Sequence, residues 1–454
     1  MLWPVALLNY LDRQMLATMG LSIKADIVEL QSAERFGQLM AIFMWVYAFC
    51  SPVGGAIADR INRKWLIVAS LGIWSAVTLL MGWAIDFQQL YILRGIMGVS
   101  EAFYIPAGLA LIADYHPGAT RSLAVGAHMS GIYMGQALGG VGGWVAQEVS
   151  WRTAFVSCGA LGVGYAVVLI LFLREKRGEP GAGMGPGSQS LSAPGGEGRS
   201  DEAPQPEAGD SQHHSSVTEE SRHKTPPLPA PLLQRRRGNL SDPPVTRLPS
   251  ERANPNVYWL GYVILLLCFS LPSLPGWAVK NWLPTLLQDR FAMAQAPSGL
   301  WATITNAGAA FGGVLIGGRL ADRWSARSTR GRTYVSALGL LLIVPAMVGI
   351  GLAPSFALAI ASTVLFGLGF GMFDANNMPI LCQIAPPRLR ATGYGLMNFV
   401  GISSGAFVTP LLGKLKDSGV PLATGFAFCA VPALLAAGLM FLLRPRTRDC
   451  TATN

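Results

Sequence analysis

Asn9, Asp12 and Arg13 stand at i, i+3 and i+4 inside an apolar run, so one helical face carries an amide, a carboxylate and a guanidinium. A second apolar run holds Arg94 and Glu101 seven residues apart, about two turns, again on one face. Placing a single charge at the centre of a bilayer costs roughly 2.5–3.5 kcal/mol on insertion scales, so four ionisable groups on two such helices require partners or a task. Their chemistries suit different tasks. Arginine stays charged and its planar fork matches a carboxylate, which fits Arg94 or Arg13 to an anionic substrate. Asp12 and Glu101 can gain and lose protons. The alternative is a static set of ion pairs joining the two helices. Later in the chain Lys280, Asn281, Asp374, Asn376 and Asn377 are unusually polar for their apolar surroundings. They either bind substrate hydroxyls or bond helix to helix, and Lys280 can also snorkel outward. His128 lies well inside a run but is given no role.

These groups need a scaffold that is mostly hydrocarbon. Of 454 residues, 51% are hydrophobic and only 13% are charged, where a soluble protein averages about 25% charged. One soluble core cannot hide that much apolar surface, so lipid solvates the remainder. A spanning helix needs about 20 mostly apolar residues. Twelve runs qualify, at 2–23, 36–58, 65–84, 88–113, 122–147 and 152–173, then at 257–287, 298–321, 332–353, 355–383, 391–414 and 421–443. The predicted fold is an all-α membrane protein of twelve transmembrane helices in two sets of six. The first run has no basic leader and contains Asp12 and Arg13, so it reads as a span and not as a cleavable signal.

The predicted division is a first six-helix bundle at 1–173, a linker at 174–256, a second bundle at 257–444 and a tail at 445–454. The linker is rich in Pro, Gly, Ser and charge, with no periodic apolar pattern, and reads as disordered. Short basic loops set orientation. Arg60, Arg63 and Lys64 follow the second helix and Arg121 the fourth. Arg323, Arg327, Arg330 and Arg332 follow the eighth, Arg388 and Arg390 the tenth, and Arg444, Arg446 and Arg448 the twelfth. Those loops and both termini are expected on the cytoplasmic side. The net charge of +9 is explained by these loops, and no nucleic-acid partner is expected. Five cysteines fall in apolar runs and Cys450 in the tail, without ligand-like spacing, so neither a disulfide framework nor a metal or other cofactor is expected.

Two patterns recur between the halves. Gly55-Ala-Ile-Ala-Asp59-Arg60 returns as Gly318-Arg-Leu-Ala-Asp322-Arg323, an offset of 263 residues (322 − 59). Pro117, Arg121 and Gly126 return as Pro386, Arg390 and Gly395, each 269 residues later (386 − 117). A duplicated six-helix unit places a substrate site between its halves near mid-membrane, with the halves rocking around it.

The segment Gly55 to Lys64 resembles the loop 2–3 signature of the major facilitator superfamily, with Asn62 where glycine is usual, and Arg94 to Ala102 resembles its helix 4 signature. Physically the loop reads as a latch. Asp59 can accept from a neighbouring helix N-terminus while Arg60, Arg63 and Lys64 pair across the face, with Asp322 and Arg323 repeating the arrangement. Contacts possible in only one access state bias the rocking equilibrium. The plainer reading of the same charges is topology alone. Within the superfamily, Asn9-Tyr-Leu-Asp12-Arg13, Tyr47, Arg94 through Pro106 and Trp282-Leu-Pro284 resemble the anion:cation symporter branch. That resemblance implies proton-coupled uptake of organic anions such as hexuronates and aldonates. It implies Asp12 and Glu101 as proton carriers, Arg13 as their coupling partner and Arg94 as the carboxylate clamp. Tyr10 and Tyr47 would bond the substrate, and the second-half candidates beside them, taken from polarity alone, are Lys280, Asn281, Asn376 and Asn377. It further implies a monomer in a cell membrane, of the bacterial inner-membrane kind.

Three rivals stand beside that reading. A drug:proton antiporter is disfavoured because Gly135-Gln136-Ala-Leu-Gly139-Gly140 lacks the proline of that class's helix 5 signature. A spinster-like lysolipid or sphingolipid carrier shares the helix 1 residues, but Ser100 departs from its pattern. A membrane receptor that binds without accumulating is the non-transport alternative. No nucleophile, base and metal constellation emerges, so an enzyme is not expected.

Overall fold

The computed structural model describes residues 1–58, 60–116, 121–174, 255–385 and 390–443. Asp59, Pro117, Pro386, Arg388, the tail and all but the ends of the predicted linker lie outside the described residues, and so does the Arg121 side chain.

The described chain is helical and follows the twelve predicted runs closely. The first span is α1 (Leu2–Thr18), continued beyond Met19 as α2 (Gly20–Asp26). Then come α3 (Ala33–Ala58), α4 (Arg63–Met81), a broken span of α5 (Phe87–Glu101) and α6 (Tyr104–Tyr115), α7 (Arg121–Glu148) and α8 (Trp151–Phe172). The second set is α9 (Pro255–Phe291), α10 (Gln295–Ser325), α11 (Gly331–Leu352), a broken span of α12 (Phe356–Asp374) and α13 (Asn377–Ile384), α14 (Arg390–Asp417), and α15 (Leu422–Phe428) with α16 (Ala430–Leu442). Among the described residues, ten spans meet the length and hydropathy expected of a bilayer crossing. The other two are the first, which carries Asn9, Asp12 and Arg13, and α7, which carries His128, Gln136 and a run of glycines. Polar and glycine residues lower hydropathy where helices face protein and not lipid.

The duplication seen in the sequence is repeated in the packing. In the first half α1 lies on α7, α3 on α5, and α4 on α8; in the second α9 lies on α14, α10 on α12, and α11 on α16. These are the same pairs shifted by six spans. Spans four and ten also break at the same point, each directly after an acidic residue, Glu101 and Asp374. The chain is therefore a twelve-helix membrane protein built from two six-helix repeats.

Glycine sets the close contact of α1 with α7. A methyl group on Gly135 would lie 2.2 Å from the Leu7 carbonyl oxygen, and one on Gly143 2.8 Å from that of Thr18. The glycines of α7 thus let the backbone of α1 approach closely, which fixes the rotation of α1 and the directions of its polar side chains.

The halves meet chiefly through two helix pairs, α3 with α14 and α7 with α10, with α1 also touching α9 and α10. At the end away from the basic loops the pairs interlock. A methyl on Gly37 would lie 2.7 Å from Pro410 Cα, one on Gly413 2.3 Å from the Ala33 oxygen, and one on Gly140 2.8 Å from the Gly299 oxygen. At the basic-loop end the same four helices carry Gly55, Gly126, Gly318 and Gly395, and among the described residues nothing lies within 4 Å of a methyl group added at any of them. Among the described residues, the two halves are closed against each other at one end and open at the other.

Candidate functional site

The break after Glu101 and the close seat of α1 on α7 bring the first set of charges together at mid-span. Arg13 Nε donates to Glu101 Oε2 at 2.5 Å, and the carboxylate is fully buried. The Arg13 guanidinium lies over three rings, Tyr47 at 4.5 Å, Tyr10 at 4.8 Å and Phe43 at 4.9 Å. Arg94 faces the same Phe43 ring at 4.8 Å. Each such cation–π contact contributes about 0.5–2 kcal/mol and holds a guanidinium without occupying its donors.

Those donors remain partly unused. Arg94 is buried, its Nη1 reaches Met97 Sδ at 3.5 Å, and its Nε has no hydrogen-bond partner. Among the described residues it makes no ion pair. Arg13 Nη2 and Glu101 Oε1 are likewise unpaired, and the Asn9 amide lies beside Glu101 without hydrogen-bond geometry. Buried polar groups are usually satisfied, so a cluster of spare donors around two guanidiniums has the chemistry of an anion site.

Asp12 points elsewhere. Its carboxylate accepts from Thr78 Oγ1 at 3.3 Å and Cys158 Sγ at 2.7 Å, against α4 and α8. It is buried behind the centre, within electrostatic reach of Arg94 but not in contact with Arg13. The three polar residues of α1 therefore diverge, Asn9 and Arg13 toward Glu101 and Asp12 toward the neighbouring spans.

The second-half residues also separate. Lys280 Nζ lies 5.0 Å from the Trp277 ring and 5.7 Å from that of Phe370. Asn281 is a contact between helices, donating to Thr409 Oγ1 at 2.9 Å and to Met44 Sδ of the first half at 3.8 Å. Asn376 donates to the Met372 carbonyl at 2.9 Å, and Asn377 donates to Asp374 Oδ1 at 3.1 Å. Asp374 itself is exposed although it stands mid-span, with Lys280, Tyr10, Tyr133 and Tyr394 within electrostatic reach.

At the basic-loop end three of the predicted latch residues make contacts within their own halves. Arg63 forms an ion pair with Asp114, Lys64 donates to the Ile170 carbonyl at 2.9 Å, and Asp322 pairs with Arg332 at 3.0 Å. Arg60 and Arg323 are exposed.

The opposite end carries a contact that sequence reasoning missed. Asp417, the last residue of α14, accepts from the backbone N–H groups of Ala33 and Glu34, each at 2.9 Å, and from Ser32 Oγ at 2.7 Å. A carboxylate of one half thus caps a helix N-terminus of the other, where orphan donors and the helix dipole favour it. Gln295 adds bonds to the Ser22 backbone N–H and side chain at 2.8 Å, and Gln14 donates to the Lys280 carbonyl at 2.7 Å. An acidic residue ending a span was the only available signal, and it names no partner.

The model of the Major Facilitator Superfamily matches residues 2–410 and 330–453. The chain belongs to that superfamily. It is a multi-pass membrane transporter and not an enzyme. It is similar to a D-galactonate transporter of Escherichia coli O6:H1, 25% identical over 98% of this chain and 94% of that one. It is also similar to a gallate transporter of Pseudomonas putida, 25% identical over 96% and 87% of the respective chains. Among solved structures, a bacterial homologue of the human lysosomal transporter spinster, in an inward-facing and occupied conformation, superposes with a TM-score of 0.68. It is 19% identical and covers 97% of this transporter and 95% of that chain, which establishes likeness of fold.

Proposed function

We propose that this transporter takes up a small hydroxylated organic anion, a sugar acid such as an aldonate or hexuronate, together with protons and by alternating access. The observation that carries the reading is Arg94, buried with an unpaired Nε and sharing the Phe43 ring with the Arg13–Glu101 pair. A buried guanidinium with no carboxylate of its own is suited to take one from a ligand. Galactonate and gallate, the molecules named for two similar transporters, each combine one carboxylate with several hydroxyls. In this reading the basic loops and both termini are cytoplasmic, so the open end faces inward. The bundles at 1–173 and 257–444 rock about the centre, with 174–256 as a cytoplasmic linker.

Proton coupling supplies the driving force. An anion entering a negative interior is opposed by about 2.3 kcal/mol per 100 mV; one accompanying proton cancels that term and a second makes entry electrically favourable. Glu101 is the principal carrier, because it is bonded to the same Arg13 that faces Tyr10 and Tyr47. A proton on Glu101 weakens its hold on Arg13 and frees that guanidinium for the substrate. Asp12 is the second carrier, communicating through α4 and α8. Tyr10, Tyr47 and Lys280 hold the remainder of the ligand.

The test uses the purified full chain in liposomes with labelled D-galactonate. Glu101→Gln should keep exchange of labelled for unlabelled substrate and lose uphill accumulation under an imposed pH gradient. Undiminished accumulation by that variant would move the coupling site elsewhere.

A further inference from the structure

The two repeats carry matching charge pairs. Lys280 follows Arg13 by 267 residues (280 − 13) and Asp374 follows Glu101 by 273 (374 − 101), close to the offsets of the loop motifs. The first pair joins spans one and four, and the second lies on spans seven and ten, their repeat equivalents. Both acidic residues end a helix at the break in the span. The pairs differ in one respect. Arg13 and Glu101 are in contact at 2.5 Å, whereas Lys280 and Asp374 form no ion pair among the described residues. Lys280 instead rests on Phe370, which stands one turn before Asp374 on the same helical face.

Asp374 is thus an exposed carboxylate in the middle of a membrane span, with one oxygen bonded to Asn377. Tyr10, Tyr133, Tyr394 and Lys280 lie within electrostatic reach of it. Arg13 is paired with Glu101; Lys280 and Asp374 are within electrostatic reach of each other without an ion pair, and Arg94 makes no ion pair among the described residues. Asp12 faces Thr78 and Cys158 behind the centre.

We propose that Asp374 is a specificity-determining residue that restricts this site to monocarboxylates bearing hydrogen-bond donors and rejects dicarboxylates. The ligand carboxylate sits on Arg94. The far end of the ligand meets Asp374, which accepts from a hydroxyl but repels a second carboxylate. Rejection by a like charge is a stronger filter than a missing contact, because an unpaired anion cannot be accommodated by a small shift. The inference rests on the organic-anion reading of the same site.

The experiment measures equilibrium binding to the purified full chain with two matched pairs, D-galactonate against galactarate and 4-hydroxybenzoate against terephthalate. Within each pair one neutral donor group is replaced by a carboxylate. The parent protein should bind the monocarboxylate of an accepted pair roughly tenfold or more tightly than its partner. Asp374→Asn should narrow that ratio mainly by admitting the dicarboxylate, and Asp374→Glu should preserve it. Equal binding of both members by the parent, or an unchanged ratio in Asp374→Asn, overturns this inference and leaves the organic-anion reading standing. Binding of none of the four acids by a stable parent protein overturns both.

Discussion

Removing the Asp417 carboxylate should release the closed end of the transporter. In the observed state it accepts three hydrogen bonds from Ser32, Ala33 and Glu34 across the two halves. When that end opens, water replaces Asp417, while the Ser32 hydroxyl, which already accepts from the Arg35 N–H at 3.2 Å, stays in place. The lost stabilisation is therefore that of one exposed cap, about 1–2 kcal/mol, and not the sum of three separate bonds. Applied to a two-state access equilibrium, this moves the population toward opening of that end by about 5- to 30-fold. Spin labels at Ile85 and Pro354, in exposed loops at that end of either half, report the separation in a background with the other cysteines replaced. Electron–electron double resonance on Asp417→Ala should show growth of a longer-distance population. Asp417→Asn, which keeps one acceptor oxygen, should lie between it and the parent. Identical distance distributions in all three proteins would refute the assignment of Asp417 as a gate contact.

Two further outcomes follow from the packing and the guanidinium geometry. Arg94→Lys keeps the charge but loses the planar fork, so substrate affinity should fall by about tenfold or more, read by equilibrium binding; equal affinity would place the carboxylate clamp elsewhere. Gly135→Ala, whose methyl group meets the Leu7 carbonyl, should lower the thermal unfolding midpoint of the detergent-solubilised protein, whereas Gly164→Ala, with open space around it, should leave it equal or slightly raised. Equal midpoints would show that α1 and α7 separate at no cost.

The sequence by itself determined the membrane class, the twelve spans and the duplication. Hydrocarbon thickness sets a length of apolar run that few other structures require, and a repeat offset survives in loop motifs even where identity is low. It also marked Arg13, Arg94 and Glu101, because charge in an apolar span is costly enough to stand out wherever it occurs. What it left open was direction. Spacing of i, i+3 and i+4 places Asn9, Asp12 and Arg13 on one broad face, yet the seat of α1 on the glycines of α7 sends Asp12 to Thr78 and Cys158 and Arg13 to Glu101. Asn281 and Asn377 were equally legible as polar residues, and only their neighbours show one bonding helix to helix and the other holding Asp374. Asp417 and the closed end belong wholly to the tertiary structure. Periodicity confines a side chain to an arc of its own helix, whereas its partner is chosen by the helix packed across from it, and that choice depends on contacts hundreds of residues away in the chain.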